Sequence, residues 1–575
     1  MKRREDSPIE DDKASRQQDS DDKQLDDQQA KPVLEVKPSR VWLMLAVFVL
    51  AFGVLGARLV QLGLRHHDDL RLKASAQDRQ AQDRPDIHDR RGAILAMDVP
   101  TSSLYADPHI LLDIDEAAEK LSSVLPDLDP DVVREKLLTK SHFVWIKRFL
   151  TPDERNAVYD LGLPGLFFLR EPKRFYPLGK QAAHVIGMVD DDNKGLSGIE
   201  QYIDKELLDK AAKKAGARGG AGDPVKLSID LRVQHVIAHE LQKGITLYEA
   251  KAGVGLVLDI RSGEVLALSS LPSFNPSKRA EALKPDRLNR AMRGVYELGS
   301  VMKAFTIAMG LDEGFVQEDQ RFDVATPVKL GKFVIKDHHK TKDGTMSVRE
   351  IFTNSSNVGA ARIARKTGVD RHRAFLSRLQ LLNRLRTQAG NSGLPLQPAN
   401  WHLADSMSMA YGYRLSVSPL QLASSAMALF NGGNLLKPTF LRRDDKQPIS
   451  LGVPVLKSST SQFMRSVMRE NVQKGTGRAA NVKGYRVGGK TGTARKAKKG
   501  GYGKELITSF MAIFPTESPR YLTYVMLDEP QKVKAARGGN SATANAAPLT
   551  GRIILRIAPL LGVNPAKPPQ NPEQN

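Results

Sequence analysis

Cysteine is absent from the 575 residues. That excludes disulfide staples, thiol nucleophiles and zinc–thiolate sites, and it leaves the compartment open, because a cysteine-free chain suits either redox environment. Acidic residues are in short supply, 65 against 86 lysines and arginines, for a net charge of +21. The deficit does not lie in the head of the chain: residues 1–40 hold nine basic and eleven acidic side chains, so the remainder carries 77 against 54, or +23. Such a surplus suits nucleic acid, anionic lipid or a polyanionic wall. RNP-like, zinc-finger and helix-turn-helix signatures are missing, so nucleic acid is not an expected partner. No internal repeat is visible. With 41% hydrophobic and 26% charged residues, the chain has the apolar material for real cores, and its length calls for two or more folded units at roughly 100–200 residues each.

Residues 1–40 are dense in Asp, Gln, Lys and Ser and are read as a disordered tail that cannot bury enough area to offset ordering entropy. Residues 41–57 are uncharged and strongly apolar, and the apolar tone continues to 64 with only Arg58 and Gln61 interrupting. A run of this length between charged segments favours an uncleaved membrane span over a buried core helix, with a cleaved signal peptide the weaker rival. Four basic residues flank each side (Lys23, Lys31, Lys37 and Arg40 before; Arg58, Arg65, Arg71 and Lys73 after), so the positive-inside count decides no orientation. A helix is expected to continue over 65–84 until Pro85 breaks it. Residues 85–225 mix strand-like runs (93–96, 166–169, 184–189) with amphipathic helices near 114–124 and 199–215. The glycine-rich stretch 216–222 reads as a linker. Beyond it, apolar runs flanking Arg261-Ser262-Gly263 predict a β-hairpin, and long apolar helices and further strands follow. The expected partition is a tail over 1–40, an anchor over 41–64, one unit over 65–225, a larger α/β unit over 226–562 and a disordered tail over 563–575.

Three short constellations carry chemistry. In Ser300-Val301-Met302-Lys303, followed by an apolar run to Leu311, the two polar residues share one face of a helix that should be buried all round. A lysine desolvated there has its pKa pushed down towards that of a usable base for a serine at the helix N-terminus. Ser355-Ser356-Asn357 offers two hydroxyls and an amide that can relay a proton and donate to a substrate carbonyl, or simply cap a helix. Lys490-Thr491-Gly492-Thr493-Ala494 reads as a strand on which glycine lets a substrate backbone approach, backbone N–H groups suit an oxyanion hole, and the lysine and threonines can hold a carboxylate. Each alone is a weak signal. Their joint occurrence, in this order and within one α/β stretch, is not.

S-x-x-K with a later K-T-G is the pattern of β-lactamases and penicillin-binding proteins, and from about residue 40 to 560 the chain resembles class B penicillin-binding proteins, most closely the septal, FtsI-type peptidoglycan transpeptidases. Further resemblances lie in Arg84-Pro85-Asp86-Ile87-His88-Asp89-Arg90, Arg174-Phe175-Tyr176-Pro177, Gly195-Leu196-Ser197-Gly198-Ile199-Glu200 and Gly475-Thr476-Gly477. Departures are Pro85 and Arg414 where glycine is usual, Leu298 for proline and Val301 for threonine.

The resemblance implies a penicillin-binding transpeptidase fold: an antiparallel sheet flanked by helices, a β-rich N-terminal pedestal or dimerisation domain, and one transmembrane helix. It implies that Ser300 attacks the penultimate D-alanine carbonyl of a stem peptide while Lys303 accepts its proton. Ser355 would relay a proton and Asn357 orient the peptide; Lys490, Thr491, Gly492 and Thr493 would bind the terminal carboxylate end; the N–H groups of Ser300 and Thr493 would form the oxyanion hole. No metal or cofactor is implied. Implied partners are peptidoglycan stem peptides, β-lactams, the membrane, and other division proteins including a polytopic glycan polymerase. The implied location is the cell inner membrane, single-pass, with the N-terminus cytoplasmic and the catalytic domain periplasmic, an orientation inferred from where peptidoglycan lies. Hydrolase and carboxypeptidase chemistry accompany the same acyl-enzyme. Alternatives are an elongation-type class B enzyme and a non-catalytic divisome scaffold.

Three other features are set aside. Residues 190–201 fail as a calcium loop at Lys194 and Gln201. His66-His67-Asp68-Asp69 reads as a solvated helix exit, and His338-His339-Lys340 as a charged loop near the cleft.

Overall fold

The computed structural model describes residues 42–61, 84–208, 223–330, 333–337, 343–443, 452–498, 500–533 and 539–566. The tail 1–40, the helix expected over 65–84 (apart from Arg84), the glycine-rich stretch 216–222 and both histidine pairs, at 66–67 and 338–339, lie outside the described residues.

Trp42–Gln61 is a single 20-residue apolar helix. At about 1.5 Å per residue it measures about 30 Å, the thickness of a bilayer core. Its side chains are exposed along its length, which is compatible with a single-pass membrane anchor.

In the remaining chain, the first unit is built on a long strand, Ile94–Ala106, paired antiparallel with both Val144–Leu150 and Leu166–Phe175. Helices Ile114–Val124, Pro130–Leu137 and Pro152–Asp160 supply Leu121, Val133, Leu137 and Val158 to a small core with Leu104, Ile146 and Leu150. Their starts are capped as the sequence dictates: Asp113 accepts two backbone N–H groups, and Thr151 forms a capping box with Glu154.

The strand expected over 184–189 is replaced by a short helix, Ala183–Ile186, a turn at Gly187 and a two-residue strand, Met188–Val189. All four helix residues are buried, and a short fully buried run has no alternation by which strand and helix can be told apart. The helix expected over 199–215 runs as Gly198–Tyr202 and then as a π-helical turn, Ile203–Leu208. The rest of that range is not described.

Arg84, Arg174 and Glu200, drawn from three separate motifs, meet in one buried ion cluster. Glu200, fully inaccessible, accepts from Arg84 Nε (3.1 Å) and Arg174 Nε (2.8 Å). Arg174 also reaches Asp98 (3.0 Å) and the Pro85 carbonyl (2.9 Å), and Arg84 pairs with Asp204. Removing one partner from such a cluster leaves buried charge uncompensated. Glu200→Gln is therefore expected to cost about 3–5 kcal/mol, read as a lower urea midpoint for this unit.

The larger unit is organised on a five-stranded antiparallel sheet in the order Gly488–Lys498, Gly501–Phe514, Tyr521–Asp528, Ala252–Asp259, Val265–Leu271. The hairpin expected around residues 261–263 is present as its last two strands. Strand Tyr521–Asp528 is buried on both faces. Tyr521, Val525 and Leu527 meet helices Leu231–Leu247 and Ala546–Leu560, whereas Leu522, Tyr524 and Met526 join the core that contains the helix Lys303–Asp312. Period-two alternation thus divides two apolar layers between the faces of one sheet. Strand Gly488–Lys498 forms the edge of the sheet, against which the 298–302 turn packs.

Candidate active site

Ser300 lies in a 3₁₀ turn, Gly299–Met302, that leads into the α-helix Lys303–Asp312. With three residues per turn, positions i and i+3 eclipse, and Lys303 Nζ stands 2.9 Å from Ser300 Oγ. The helix is buried on nearly every side, as its sequence predicts, and Lys303 is completely buried while Ser300 remains partly accessible.

Lys303 Nζ has three further neighbours: the Ser355 carbonyl (2.7 Å), Asn357 Oδ1 (2.7 Å) and Ser355 Oγ (3.1 Å). The carbonyl and the amide oxygen only accept, so they take the two N–H groups of a neutral amine and leave its lone pair for the serine proton. Burial drives the Lys303 ammonium well below a lysine's ordinary 10.5; the charge on Lys490 adds to that depression and the Asp337 carboxylate opposes it.

Ser355 adopts a left-handed backbone, φ 59°, of the kind that costs a non-glycine residue of order 1 kcal/mol and concentrates at functional sites. This conformation presents both its carbonyl and its hydroxyl to Lys303. Its hydroxyl also accepts from Lys490 Nζ at 3.0 Å, bridging the two amines. Lys490 is itself fully buried, lies over the Phe352 ring at 5.6 Å, and is pulled down to about 7 by desolvation. The capping role open to the second constellation is taken by its middle residue: Ser356 caps the helix Asn357–Thr367, accepting from Gly359 N–H at 2.9 Å.

On the edge strand, Thr491 Oγ1 meets Thr476 Oγ1 at 3.0 Å, which joins Gly475-Thr476-Gly477 to the Lys490 strand, and Asn471 fastens the pair by donating to the Gly489 carbonyl and accepting from Thr476. Thr493 Oγ1 accepts from Ala542 N–H at 3.1 Å. The space at Gly492 is used differently from the sequence expectation. A methyl group there would sit 2.5 Å from the Leu298 carbonyl and 2.7 Å from Val301 Cγ2, so the missing side chain admits the serine turn itself. At Gly299 (φ +60°) a methyl group would lie 2.6 Å from the Thr493 carbonyl. These two close approaches bring the backbone at Ser300 and at Thr493 side by side.

Sequence reasoning missed Asp337. Its carboxylate accepts from Ser356 Oγ (2.5 Å) and from the N–H groups of Asn357 (2.6 Å) and Val358 (3.0 Å), fixing the segment that carries Ser355 and Asn357. A lone aspartate some twenty residues upstream gives no pattern to find. Asp337→Asn is expected to slow acylation of Ser300 by about tenfold and to shift the acid limb of its pH profile to lower pH, because the group that raises the Lys303 pKa has lost its charge. A purely structural role would leave that limb in place.

Arg414 keeps the left-handed conformation for which glycine is suited, with φ 68°. Its side chain is held by Asp405 (2.8 Å) and its N–H donates to Glu297 Oε1 (2.6 Å). Glu297, raised by burial, also accepts from Tyr502 (3.1 Å).

Residues 253–553 match the penicillin-binding protein transpeptidase domain, and residues 79–227 the penicillin-binding protein dimerisation domain. The chain belongs to the penicillin-binding protein transpeptidase family. It is 39% identical over 490 residues to the "Probable peptidoglycan D,D-transpeptidase FtsI" of Caulobacter vibrioides, covering 84% of this chain and 82% of that one. To the "Peptidoglycan D,D-transpeptidase FtsI" of Escherichia coli K12 it is 28% identical, covering 83% and 84%. Among solved structures, a peptidoglycan synthetase from Bifidobacterium adolescentis shares the fold of this penicillin-binding protein (TM-score 0.66, 22% identity, 85% of this chain and 98% of that one). The transpeptidase domain of penicillin-binding protein 3 from Burkholderia pseudomallei aligns at 31% identity (TM-score 0.53, 60% and 98%).

Proposed function

We propose that this protein is a septal peptidoglycan D,D-transpeptidase in which Ser300 is the nucleophile and Lys303 its base. The observation that carries the reading is the 2.9 Å contact between Ser300 Oγ and a fully buried lysine whose N–H groups are already taken by two acceptors. As Ser300 Oγ attacks the penultimate D-alanine carbonyl carbon, its proton passes to Lys303. The N–H groups of Ser300 and Thr493 stabilise the oxyanion. Lys490, Thr491 and Thr493 hold the terminal carboxylate, and Asn357 orients the peptide. The C–N bond breaks, and terminal D-alanine leaves after taking a proton relayed through Ser355. The amine of a neighbouring stem then attacks the ester, giving up a proton as Ser300 regains its own, and the cross-link forms. Water in place of the amine gives the carboxypeptidase outcome.

In this reading the helix Trp42–Gln61 anchors the protein in the inner membrane, with the N-terminus cytoplasmic and the catalytic unit periplasmic. The non-catalytic unit ends near residue 225 and works with other division proteins, including a polytopic glycan polymerase. The FtsI names of the relatives support the septal assignment.

The test is covalent labelling by a fluorescent penicillin, which Ser300→Ala should abolish. Slow release of the label marks a transpeptidase and rapid release a β-lactamase. Label surviving the substitution removes the assignment. Depletion in cells should give filaments; rounded cells would move the role to elongation.

A further inference from the structure

The end of the strand Ile94–Ala106 and the start of the strand Val144–Leu150 lie opposite one another, with Ala106 paired to Val144. That register brings Asp107 and His109, which follow the first strand, against His142, which leads into the second. The Asp107 backbone is fixed from both sides: its N–H donates to the Gly165 carbonyl (2.8 Å) and its own carbonyl accepts from Ile110 N–H (3.1 Å). Its carboxylate also accepts the His109 backbone N–H at 3.1 Å.

Both imidazoles turn the same nitrogen towards this one carboxylate. His109 Nδ1 is 3.3 Å from Asp107 Oδ1, and His142 Nδ1 is 3.2 Å from each oxygen. The two rings face each other, with centroids 4.0 Å apart and an interplanar angle of 25°. Neither histidine is placed there by burial, since their side chains are 46% and 75% exposed. Among the described residues, this is the one group of three His, Asp or Glu side chains whose donor atoms converge in this way.

We propose that Asp107, His109 and His142 form a zinc site. Four ligands at about 2.0–2.1 Å in a tetrahedron stand about 3.3–3.4 Å from one another; the carboxylate-to-imidazole spacings here are 3.2–3.3 Å, and rotation of the two exposed rings out of their stack brings both Nδ1 lone pairs onto one ion. Imidazole nitrogen and carboxylate oxygen are ordinary zinc donors, so the lack of cysteine is no obstacle. The exposure of both rings leaves the fourth position to water. Binding releases whichever protons the two Nδ1 atoms carry. The ion ties the turn after one strand to the lead-in of its neighbour, beside the aromatic cluster of Tyr105, Phe143, Trp145 and Phe167. It staples the non-catalytic unit and takes no part in acyl transfer.

The test uses the full-length protein in detergent, stripped with a chelator and then titrated with Zn²⁺ or with Co²⁺ as a spectroscopic substitute. Wild type is expected to bind one more equivalent of Zn²⁺ than His142→Ala or His109→Ala, each variant losing about 100-fold in affinity at this site, and to give the strong visible absorption of four-coordinate Co²⁺. Wild-type urea midpoints for the non-catalytic unit of the metal-free variants, with unchanged penicillin labelling, show that they are folded. A measurement on wild type alone accompanies this: Zn²⁺ should slow amide exchange at 107–110 and 141–144. Equal stoichiometry in wild type and variants, weak six-coordinate Co²⁺ bands, or unchanged exchange in those two segments would overturn the proposal.

Discussion

Lys303→Met is expected to slow acylation of Ser300 by a penicillin by about 10²–10⁴-fold, the range of a lost general base, with the protein still folded. Methionine, one heavy atom shorter, fits a side chain that is already fully buried, and it removes the proton acceptor together with the N–H donors to the Ser355 carbonyl and Asn357 Oδ1. Lys303→Arg should lose as much. A guanidinium can satisfy the Ser355 carbonyl and Asn357 Oδ1, both 2.7 Å from the present amine, but it has no lone pair to offer and does not deprotonate in proteins. Rapid-quench labelling measures both variants. An arginine variant retaining more than about a tenth of the wild-type rate would mean that the lysine acts by charge and position alone.

Gly492→Ala is the second large effect. A methyl group at this position meets the Leu298 carbonyl and Ser509 Oγ at 2.5 Å and Val301 Cγ2 at 2.7 Å. Two of these belong to the serine turn, so relief requires the edge strand and the turn to move apart. A displacement near 1 Å between reacting groups costs about 10²-fold in rate, and overpacking adds about 1–3 kcal/mol of lost stability. Acylation rate and thermal midpoint should fall together. Gly551→Ala is the control: it lies within the helix Ala546–Leu560, its nearest new neighbour is at 3.4 Å, and the substitution should be neutral or stabilising by up to about 1 kcal/mol.

What could be read from the residues was what is encoded locally. The helix Ile114–Val124 and the hairpin of residues 252–271 follow from periodicity and a turn signal. Ser300 and Lys303 follow from an i, i+3 pair in an apolar run, although the turn that eclipses them is 3₁₀. Elements fixed by distant contacts were not legible. Asp337 acts across about twenty residues through three hydrogen bonds. The apolar run at 183–186 is buried on every side, so it carries no alternation from which its helical form could be read. At Gly492 the sequence suggests room for a substrate backbone, whereas the fold sets the neighbouring turn against that position. Arg84, Arg174 and Glu200 were visible as motifs, but the charge cluster joining them depends on packing that no one motif contains.

The central claim is that a neutral Lys303 deprotonates Ser300 beside a charged Lys490, and the pH dependence of acylation tests it most directly. The adduct should map to Ser300. Its second-order rate, which reports the free enzyme, should rise as Lys303 loses its proton at a pH well below 10.5 and fall above about 7 as Lys490 loses the charge that attracts a carboxylate. Because the amines are linked through Ser355, the two limbs belong to the pair. An adduct on another residue, or a rate that climbs steadily towards pH 10.5, would contradict the account.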